Sequence, residues 1–406
     1  MSRIPLFLQL PILIGILVLA AFVLKGVVSS SQPAASAAFM ESLRTMDLQA
    51  TYDQTPYDAT KKVRILVVPG HDQDFSGTRF LGTNELELNL LLGGYLAEML
   101  SREDAFEVIL SQDARGYLSD LTRFFTDNRA AIQKFIGDNH GVMHFLRTNG
   151  AVADHHGVEH VTAPDPVVHR LYGINAWANN SGIDIVIHIH FNDDPRRHFN
   201  RAGAYTGFTV YAPETQYSNS RASTELAEAI AAELNKRSAI SDHPKEKAGV
   251  VPDQDLIAIG ANNTLEAAGI LVEYGYIYEP QVIDETLRPL MLRELALQTA
   301  KGVLDFFHDD AARNALPETT LLPHVWKGDL TYGMRRNGDV LALQAALMRE
   351  GIYPPPALSV NTCPFTGAFL PCTRRAVEAF QKKYGLPATG YVGERTRKVL
   401  NERYGH

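Results

Sequence analysis

Two histidines stand two residues apart in the stretch DIVIHIHFND, which covers Asp184–Asp193. The β-branched apolar residues around them predict a buried strand, and side chains two apart on a strand point to the same face. His188 and His190 are therefore expected side by side near the end of that strand. A single histidine in such a place is more often a hydrogen-bonded core residue, so the pair indicates chemistry only if partners lie nearby.

Three further residues of ligand or acid–base type follow predicted strands or open a predicted helix. His71 follows the first strand in VVPGHD, Glu85 opens a helix in GTNELELNL, and Glu273 ends the last strand in LVEYGY. Sites in open α/β sheets form outside the carboxyl ends of strands, so these residues and His190 are expected at one edge. Two imidazoles and one carboxylate suit a catalytic Zn²⁺, and a second glutamate could then move the proton in a metal-assisted hydrolysis.

Strands that alternate with amphipathic helices must position these residues. The pattern predicts an α/β domain over residues 62–309, an open mixed sheet with helices on both faces. The predicted strands cover residues 62–68, 106–110, 184–193, 207–211 and 269–274, and the predicted helices cover residues 85–100, 167–180, 218–234 and 290–307.

Four segments, in this order, resemble the zinc-dependent N-acetylmuramoyl-L-alanine amidases of bacterial cell walls: VVPGHD, NELELNL, HRLYGINAWANNSGIDIVIHIHFN and GILVEYGYI. The resemblance covers residues 63–308 apart from one insertion. It implies that His71, Glu85 and His190 bind zinc and that Glu273 is the catalytic base. It also implies that the substrate is peptidoglycan and that the bond cut is the amide between N-acetylmuramic acid and L-alanine.

The same resemblance marks three residues around these four. Arg170 matches an arginine of the family's helix and Asn192 matches its strand end, so each is expected to support the ligands or bind substrate. His188 stands where the family usually has serine. It could hydrogen-bond a ligand or the substrate, or act as an additional ligand. Glu87 competes with Glu85 for the ligand role, but the asparagine four residues after Glu85 fits the family pattern better.

Two stretches depart from the family pattern. Asp72-Gln73-Asp74 follow the first histidine where the family often has small residues, which we expect to alter substrate contacts more than metal binding. Residues 114–165 form an insertion rich in His and Asp, with a predicted helix over residues 118–136. Long insertions in compact domains are commonly lids or binding loops. We hypothesise a lid over the substrate site, and a surface subdomain without that role is the alternative.

The N-terminal segment carries no charge from Ile4 to Leu24. A run of about 20 apolar residues is long enough for a transmembrane helix, and a cleaved signal peptide is the rival interpretation. We expect a transmembrane anchor or signal segment over residues 1–28 and a linker over residues 29–61. Both interpretations export the rest of the chain, either anchored in the membrane and facing the cell wall or periplasm, or secreted.

A second domain is predicted over residues 330–406, after a linker over residues 310–329. It resembles the small three-helix peptidoglycan-binding module, although a generic three-helix bundle would show the same apolar stripes. Cys363 and Cys372 lie in one of its loops, and in an exported protein such a pair favours a disulfide over two free thiols. The predicted helices cover residues 337–351, 373–386 and 393–405.

Charge and composition limit the partners. The net charge is -8 and no long run of like charge occurs, which argues against a general nucleic-acid binder. Peptidoglycan is the expected substrate and binding ligand, and the membrane a partner of the N-terminal segment. One rival function, another zinc peptidase or carboxypeptidase of peptidoglycan, would need a carboxylate-binding arginine close to Glu273 in sequence, and none is there. The other, a non-catalytic wall-binding protein, would be favoured by the loss of a site residue, and none is lost.

Overall fold

The computed structural model describes residues 46–54, 61–155, 157–158, 163–260 and 264–406. Within these ranges no helix is both long and apolar enough to cross a membrane. The expected anchor or signal segment, residues 1–28, lies outside the described residues. So does most of the expected linker over residues 29–61.

A six-stranded mixed sheet forms the centre of the larger domain. Its strands are β1 (Val63–Pro69), β4 (Phe106–Leu110), β7 (Ile185–Asn192), β8 (Thr209–Pro213), β9 (Val250–Asp253) and β10 (Ala268–Tyr276). They lie in the order β4-β1-β7-β10-β8-β9. Strands β4, β1, β7 and β10 are parallel to one another. Strand β8 is antiparallel to β10, and β9 is parallel to β8. Two short hairpins, β2 (Arg79–Phe80) with β3 (Thr83–Asn84) and β5 (Gln112–Asp113) with β6 (Gly116–Tyr117), lie outside the sheet.

Helices cover both faces of this sheet, because the strands direct apolar side chains to both faces. Helices of the larger domain are α1 (Glu85–Leu100), α2 (Ser119–Asp127), α3 (Arg129–Thr148), α4 (Asp165–Asn180), α5 (Ser220–Leu234), α6 (Pro280–Ile283), α7 (Arg288–Phe306) and α8 (Asp310–Ala315). On one face, Ile65 and Ile187 join residues of α1, α5 and α7 in a single core. On the other face, Leu66 and Val186 pack against α2 and α4. The predicted open α/β sheet with helices on both faces is confirmed.

Residues 46–54, part of the expected N-terminal linker, are helical and belong to the core of the larger domain. Leu48 is 1% exposed and packs in the same cluster as the sheet. The Gln49 side chain donates to the carbonyl of Phe306 at 3.0 Å, and the Tyr52 hydroxyl donates to Asp309 at 2.8 Å. These contacts fix the segment against the carboxyl end of α7.

The C-terminal domain is a three-helix unit built from α9 (Gly338–Arg349), α10 (Pro371–Lys383) and α11 (Glu394–Tyr404). Its core is formed by Leu343, Phe369, Phe380 and Leu400, all buried. The predicted disulfide between Cys363 and Cys372 is present, with a Cα–Cα distance of 5.7 Å. The bond joins the long loop after α9 to the first turn of α10.

The segment between the domains, expected as a linker, is packed against both. Thr319 and Thr320 donate their hydroxyls to the buried carboxylate of Glu294 on α7, each at 2.9 Å. Trp326 is 1% exposed within the core of the C-terminal domain. A further buried cluster spans the junction and contains Leu287, Met291, Leu321, Leu341, Ala345 and Phe365. The two domains therefore share a core, and the C-terminal domain is fixed against the first turn of α7.

Candidate active site

Three of the predicted site residues meet at the carboxyl edge of the sheet. Glu85 at the start of α1 places one carboxylate oxygen 2.9 Å from His71 Nε2 and the other 3.0 Å from His190 Nδ1. The potential ligand atoms of the three residues all lie within 4.8 Å of one another. In the described part of the chain this is the only group of three such residues that could hold a metal ion.

His71 adopts a backbone conformation that side-chain-bearing residues rarely take, with a φ of 68°. Gln112, itself 2% exposed, donates to the carbonyls of Pro69 and His71, each at 2.6 Å. Asn89 of α1 donates to the carbonyl of Gly70 at 3.1 Å. A strained backbone conformation persists only where the surrounding structure holds it in place. These three hydrogen bonds to the carbonyls of residues 69–71 hold the backbone of His71 in its conformation.

Two glycines allow the three side chains to come this close. A Cβ atom on Gly70 would lie against the imidazole ring of His190. A Cβ atom on Gly77 would lie against the carboxylate of Glu85 and the ring of His71. Any side chain at either position would displace a ligand candidate, so both positions need glycine for packing reasons.

The electrostatics of the group favour an ionised carboxylate between two imidazoles. Burial alone would raise the pKa of Glu85, but the charge of His71 and the hydrogen bonds from both imidazoles hold that pKa below its usual range. Burial lowers the pKa of His190, with Glu85 opposing this effect. Burial also acts to lower the pKa of His71, but Glu85 outweighs it and raises the pKa. A neutral imidazole and an ionised carboxylate are the forms that bind metal.

Glu273 lies beside this group and outside it. In the register of β7 and β10 it pairs directly with His190. Its Oε2 atom is buried and has no hydrogen-bond partner among the described residues. Burial, and then the neighbouring charges of Glu85 and Glu246, raise the pKa of Glu273 well above its usual range. A carboxylate with a free oxygen and a high proton affinity is suited to accept a proton.

Glu246 belongs to the surroundings of the site and was missed by the sequence analysis. Its buried carboxylate accepts hydrogen bonds from the side chains of Asn192 at 3.1 Å and Tyr211 at 2.9 Å. The hydroxyls of Ser241 and Tyr276 donate to its other oxygen at 2.5 Å and 3.1 Å. Because Glu246 lies in an irregular loop, no periodicity in the sequence marked it.

The side chain of Asn192 belongs to the same hydrogen-bond network around Glu246. Its amide nitrogen donates to Glu246, and its amide oxygen accepts from the backbone nitrogen of Asp193 at 2.8 Å. Both polar atoms of the amide thus have protein partners. These contacts join the side chain of Asn192, the last residue of β7, to the buried carboxylate of Glu246.

Arg170 of α4 contacts the loop that follows the first histidine. Its guanidinium lies 2.6 Å from a carboxylate oxygen of Asp72 and 3.1 Å from one of Asp74. The side chain of Arg170 is 19% exposed. The two aspartates that depart from the family pattern therefore pair with the arginine that matches it, and together they tie α4 to the residue after His71.

His188 lies one pleat behind His190 and is 1% exposed. Neither of its ring nitrogens has a hydrogen-bond partner among the described residues. Burial, and then the neighbouring His190, lower the pKa of His188 to about 3, so the ring is neutral. His188 lies outside the group of ligand candidates. The competing Glu87 is exposed and caps α1 together with Asn84.

The insertion packs against α4 on one face of the sheet. Ile132 and Ile136 of α3 form a buried cluster with Tyr172. His140 lies 3.0 Å from the Tyr172 hydroxyl, and His155 lies 3.0 Å from a carboxylate oxygen of Glu214. His144 also stays outside the group of ligand candidates, and His156 and His160 lie outside the described residues. The side chains of His71 and His190 are 18% and 17% exposed, so the insertion does not bury them completely. The hypothesis that the insertion is a lid stays a prediction.

Comparison with known families and structures gives three results. The family model described as N-acetylmuramoyl-L-alanine amidase matches residues 65–305, and the model of a putative peptidoglycan binding domain matches residues 336–400. Comparison with curated protein sequences gives no significant match. Several solved structures are similar to the chain at low sequence identity.

Three of these structures are amidases of bacteria. An N-acetylmuramoyl-L-alanine amidase from Clostridium difficile 630 is 18% identical, covering 62% of this chain and 99% of its own, with a TM-score of 0.38. The CwlD amidase from Clostridioides difficile, solved in complex with the GerS lipoprotein, is 16% identical, covering 61% and 100%, with a TM-score of 0.40. A putative N-acetylmuramoyl-L-alanine amidase from Neisseria meningitidis is 15% identical, covering 59% and 94%, with a TM-score of 0.32.

The family assignment rests on the family models, since TM-scores of this size add nothing to it. The model of the catalytic family spans more than half of the chain. The predicted resemblances of both domains are thereby confirmed, as is peptidoglycan as the substrate. The chain belongs to the family of N-acetylmuramoyl-L-alanine amidases, which hydrolyse the amide bond between N-acetylmuramic acid and L-alanine in peptidoglycan, and it carries a peptidoglycan binding domain.

Proposed function

We propose that the amidase reaction depends on a zinc ion held by His71, Glu85 and His190, with Glu273 as the general base. The observation that supports this most is the arrangement of two imidazoles around one buried carboxylate, with all donor atoms within 4.8 Å. Two nitrogen donors and one carboxylate oxygen fit a catalytic zinc site that keeps its fourth position open. A Cβ atom at Gly70 or Gly77 would collide with one of these side chains, so the two glycines allow the donor set to form.

When bound, the metal would polarise the amide carbonyl and make a water molecule more acidic. Glu273 would take the proton of the attacking water at its Oε2 atom, which has no hydrogen-bond partner in the described part of the chain. It would then pass this proton to the leaving nitrogen of L-alanine. Its raised proton affinity suits the second half of that transfer, because a protonated carboxyl group must be available to the leaving amine.

The remaining residues of the site would hold these groups in place. Arg170 would fix the loop after His71 through its two aspartate partners. Glu246 would fix the end of β7 through Asn192. His188 would fill the space behind His190 as a neutral ring. Groups that act through a ligand in this way typically change metal affinity or activity when they are replaced.

A substrate in the cell wall places the activity outside the cytoplasmic membrane. We propose that the uncharged N-terminal run from Ile4 to Leu24 directs the chain there, as an anchor or a cleaved signal. Cell fractionation with an antibody against the C-terminal domain tests this. Full-length protein in the membrane fraction supports an anchor, a shortened soluble form supports a signal, and protein in the cytoplasm contradicts both.

Metal analysis combined with digestion of peptidoglycan sacculi tests the proposal. We expect zinc to copurify with the wild-type protein and a chelator to abolish hydrolysis, with activity restored by added Zn²⁺. Mass spectrometry should find new amino groups on L-alanine and an intact lactyl group on N-acetylmuramic acid. Release of D-alanine or of reducing sugar ends would show that a different bond is cut. Full activity in metal-free protein would contradict the zinc centre.

A further inference from the structure

A short hairpin stands directly beside the ligand candidate at the start of α1. The hairpin consists of β2, a two-residue turn and β3, and β3 leads straight into Glu85. At its base, the backbone nitrogen of Thr78 donates to the Glu85 carboxylate at 3.1 Å. Arg197 donates to the carbonyl of Arg79 at 2.8 Å, and Arg288 donates to the hydroxyl of Thr83 at 2.7 Å. The hairpin is therefore held on both strands and fixed relative to the site.

The turn of this hairpin carries a residue that the turn disfavours. Leu81 and Gly82 have φ values of 45° and 87°. Two-residue turns with positive φ at both positions strongly prefer Asn-Gly, because a leucine there meets steric strain. The Leu81 side chain is 61% exposed, so burial does not offset the strain. An exposed apolar residue in a strained conformation next to a catalytic site indicates a contact with another molecule.

Leu81 lines a shallow, open cleft to which the C-terminal domain contributes one residue. The cleft has a volume of about 360 Å³ and is also lined by Ile283, Asp284, Glu285, Thr286 and Arg336. Arg336 belongs to the C-terminal domain and is the second residue of the cleft with a positive φ, 53°. The junction core of Leu287 and Leu341 keeps the two walls at a fixed distance.

Two charged side chains of the cleft are exposed, those of Glu285 and Arg336. The Asp284 carboxylate accepts hydrogen bonds from the Thr286 hydroxyl and from the backbone nitrogen of Leu287, and these bonds together with the charge of Arg336 lower its pKa. The cleft thus offers one apolar tip, one carboxylate and one guanidinium. A peptide with small apolar side chains, free carboxylates and an amine complements this set, whereas an uncharged glycan does not.

We propose that the cleft between Leu81 and Arg336 binds the stem peptide of peptidoglycan while its first amide bond lies at the metal centre. The proposal rests on the function proposed for His71, Glu85 and His190. It assigns the C-terminal domain a second role, as a wall of the substrate site. Arg336 binds a carboxylate of the stem, Glu285 binds its amine, and Leu81 contacts an alanine methyl group.

Leu81→Asn and Arg336→Asn test the proposal, because asparagine tolerates the left-handed backbone of both positions. Each variant should melt at the same temperature as the wild type or higher. On a disaccharide with a complete stem peptide, we expect KM to rise about tenfold with kcat unchanged, which corresponds to the loss of one good contact. On N-acetylmuramoyl-L-alanine, which lacks the rest of the stem, KM should stay at the wild-type value. Arg395→Ala, an exposed arginine of α11 away from the cleft, is the matched control.

Binding measurements separate this proposal from the catalytic one. In a Glu273→Ala background, calorimetry with the disaccharide–stem peptide should show about tenfold weaker binding when Leu81→Asn or Arg336→Asn is added. Unchanged binding in both double variants overturns the proposal, whether or not the wild type is active. An equal rise in KM on N-acetylmuramoyl-L-alanine also overturns the proposal, because the cleft would then bind the sugar. Failure of the wild type to hydrolyse any substrate counts against the catalytic proposal alone.

Discussion

His190 and Glu273 lie directly opposite each other on the neighbouring parallel strands β7 and β10. The sheet itself therefore sets the distance between a ligand candidate and the proposed base, without the help of a loop. Both residues stand near the carboxyl ends of their strands, where open α/β sheets form their sites. Rigid elements hold catalytic groups more accurately than loops do, which favours this pair as the fixed part of the site.

Replacing Glu273 should separate metal binding from catalysis. We expect Glu273→Ala to keep its zinc and to lose about 10²–10⁴-fold in kcat, the usual contribution of general acid–base catalysis. Metal content by mass spectrometry and turnover of muropeptides check both parts. Glu394→Ala, at an exposed position in the first turn of α11, is the control and should behave as the wild type. Loss of zinc from Glu273→Ala would make this residue a ligand.

The histidines should divide into two classes. His71→Ala and His190→Ala should each lose both zinc and activity, because each removes one of the three proposed ligands. His188→Leu should keep zinc, because the ring lies outside the ligand group and has no hydrogen-bond partner among the described residues.

The same leucine variant should not lower stability. Leaving a buried polar group unpaired costs about 1–3 kcal/mol, and leucine removes that cost while filling much of the space. Urea denaturation of metal-free protein measures the effect. A zinc-free His188→Leu protein would show that His188 is a further ligand.

A buried ion pair of the larger domain should support the junction with the C-terminal domain, because both of its members bind the segment between the domains. Arg237 Nε lies 2.9 Å from the Glu294 carboxylate, and the two side chains are 8% and 2% exposed. Glu294→Ala leaves the buried arginine without its closest carboxylate, which should destabilise the protein by about 3–5 kcal/mol. Glu318→Ala is a matched control, since Glu318 lies 3.9 Å from the same arginine but is half exposed. Glu318→Ala should lower the free energy of unfolding, measured by urea denaturation, by less than about 1 kcal/mol.

Acid should weaken the C-terminal domain through Glu350. Burial acts to raise the pKa of this group, but hydrogen bonds from Lys383, Tyr404 and Tyr384 and the charge of Arg403 lower it to about 2. A depressed carboxyl pKa adds stability above the unfolded-state pKa of about 4.3, and this stability is lost as the pH falls toward 2. We expect a loss of about 1–2 kcal/mol over that range.

Thermal melts between pH 6 and pH 2 measure this loss. Glu350→Gln should be less stable at pH 6 and should change less with pH than the wild type, because glutamine does not titrate. Identical pH dependence in the two proteins would exclude Glu350 as the responsible group.

Periodicity and motif residues were enough to predict much of this protein. Alternation of strands and helices gave the open mixed sheet, because a parallel sheet needs apolar residues on both faces. Residue types at strand ends gave His71, His190 and Glu273, and the start of a helix gave Glu85, because strands of one direction bring their carboxyl ends to one edge of the sheet. Two cysteines close together in a chain expected to be exported gave the disulfide, because such pairs are oxidised outside the cytoplasm.

Contacts between distant segments were decided only by the tertiary structure. Glu246 and Gln112 lie in irregular or very short elements, and their hydrogen bonds join residues far apart in sequence, so no local pattern marks them. Arg170 was expected to support the ligands or bind substrate, and only the structure shows that its partners are Asp72 and Asp74. The segment expected as a linker over residues 310–329 packs into a shared core, because the apolar residues that it meets come from two domains. Propensity and periodicity describe how a chain folds on itself locally, whereas these contacts depend on which faces meet after folding.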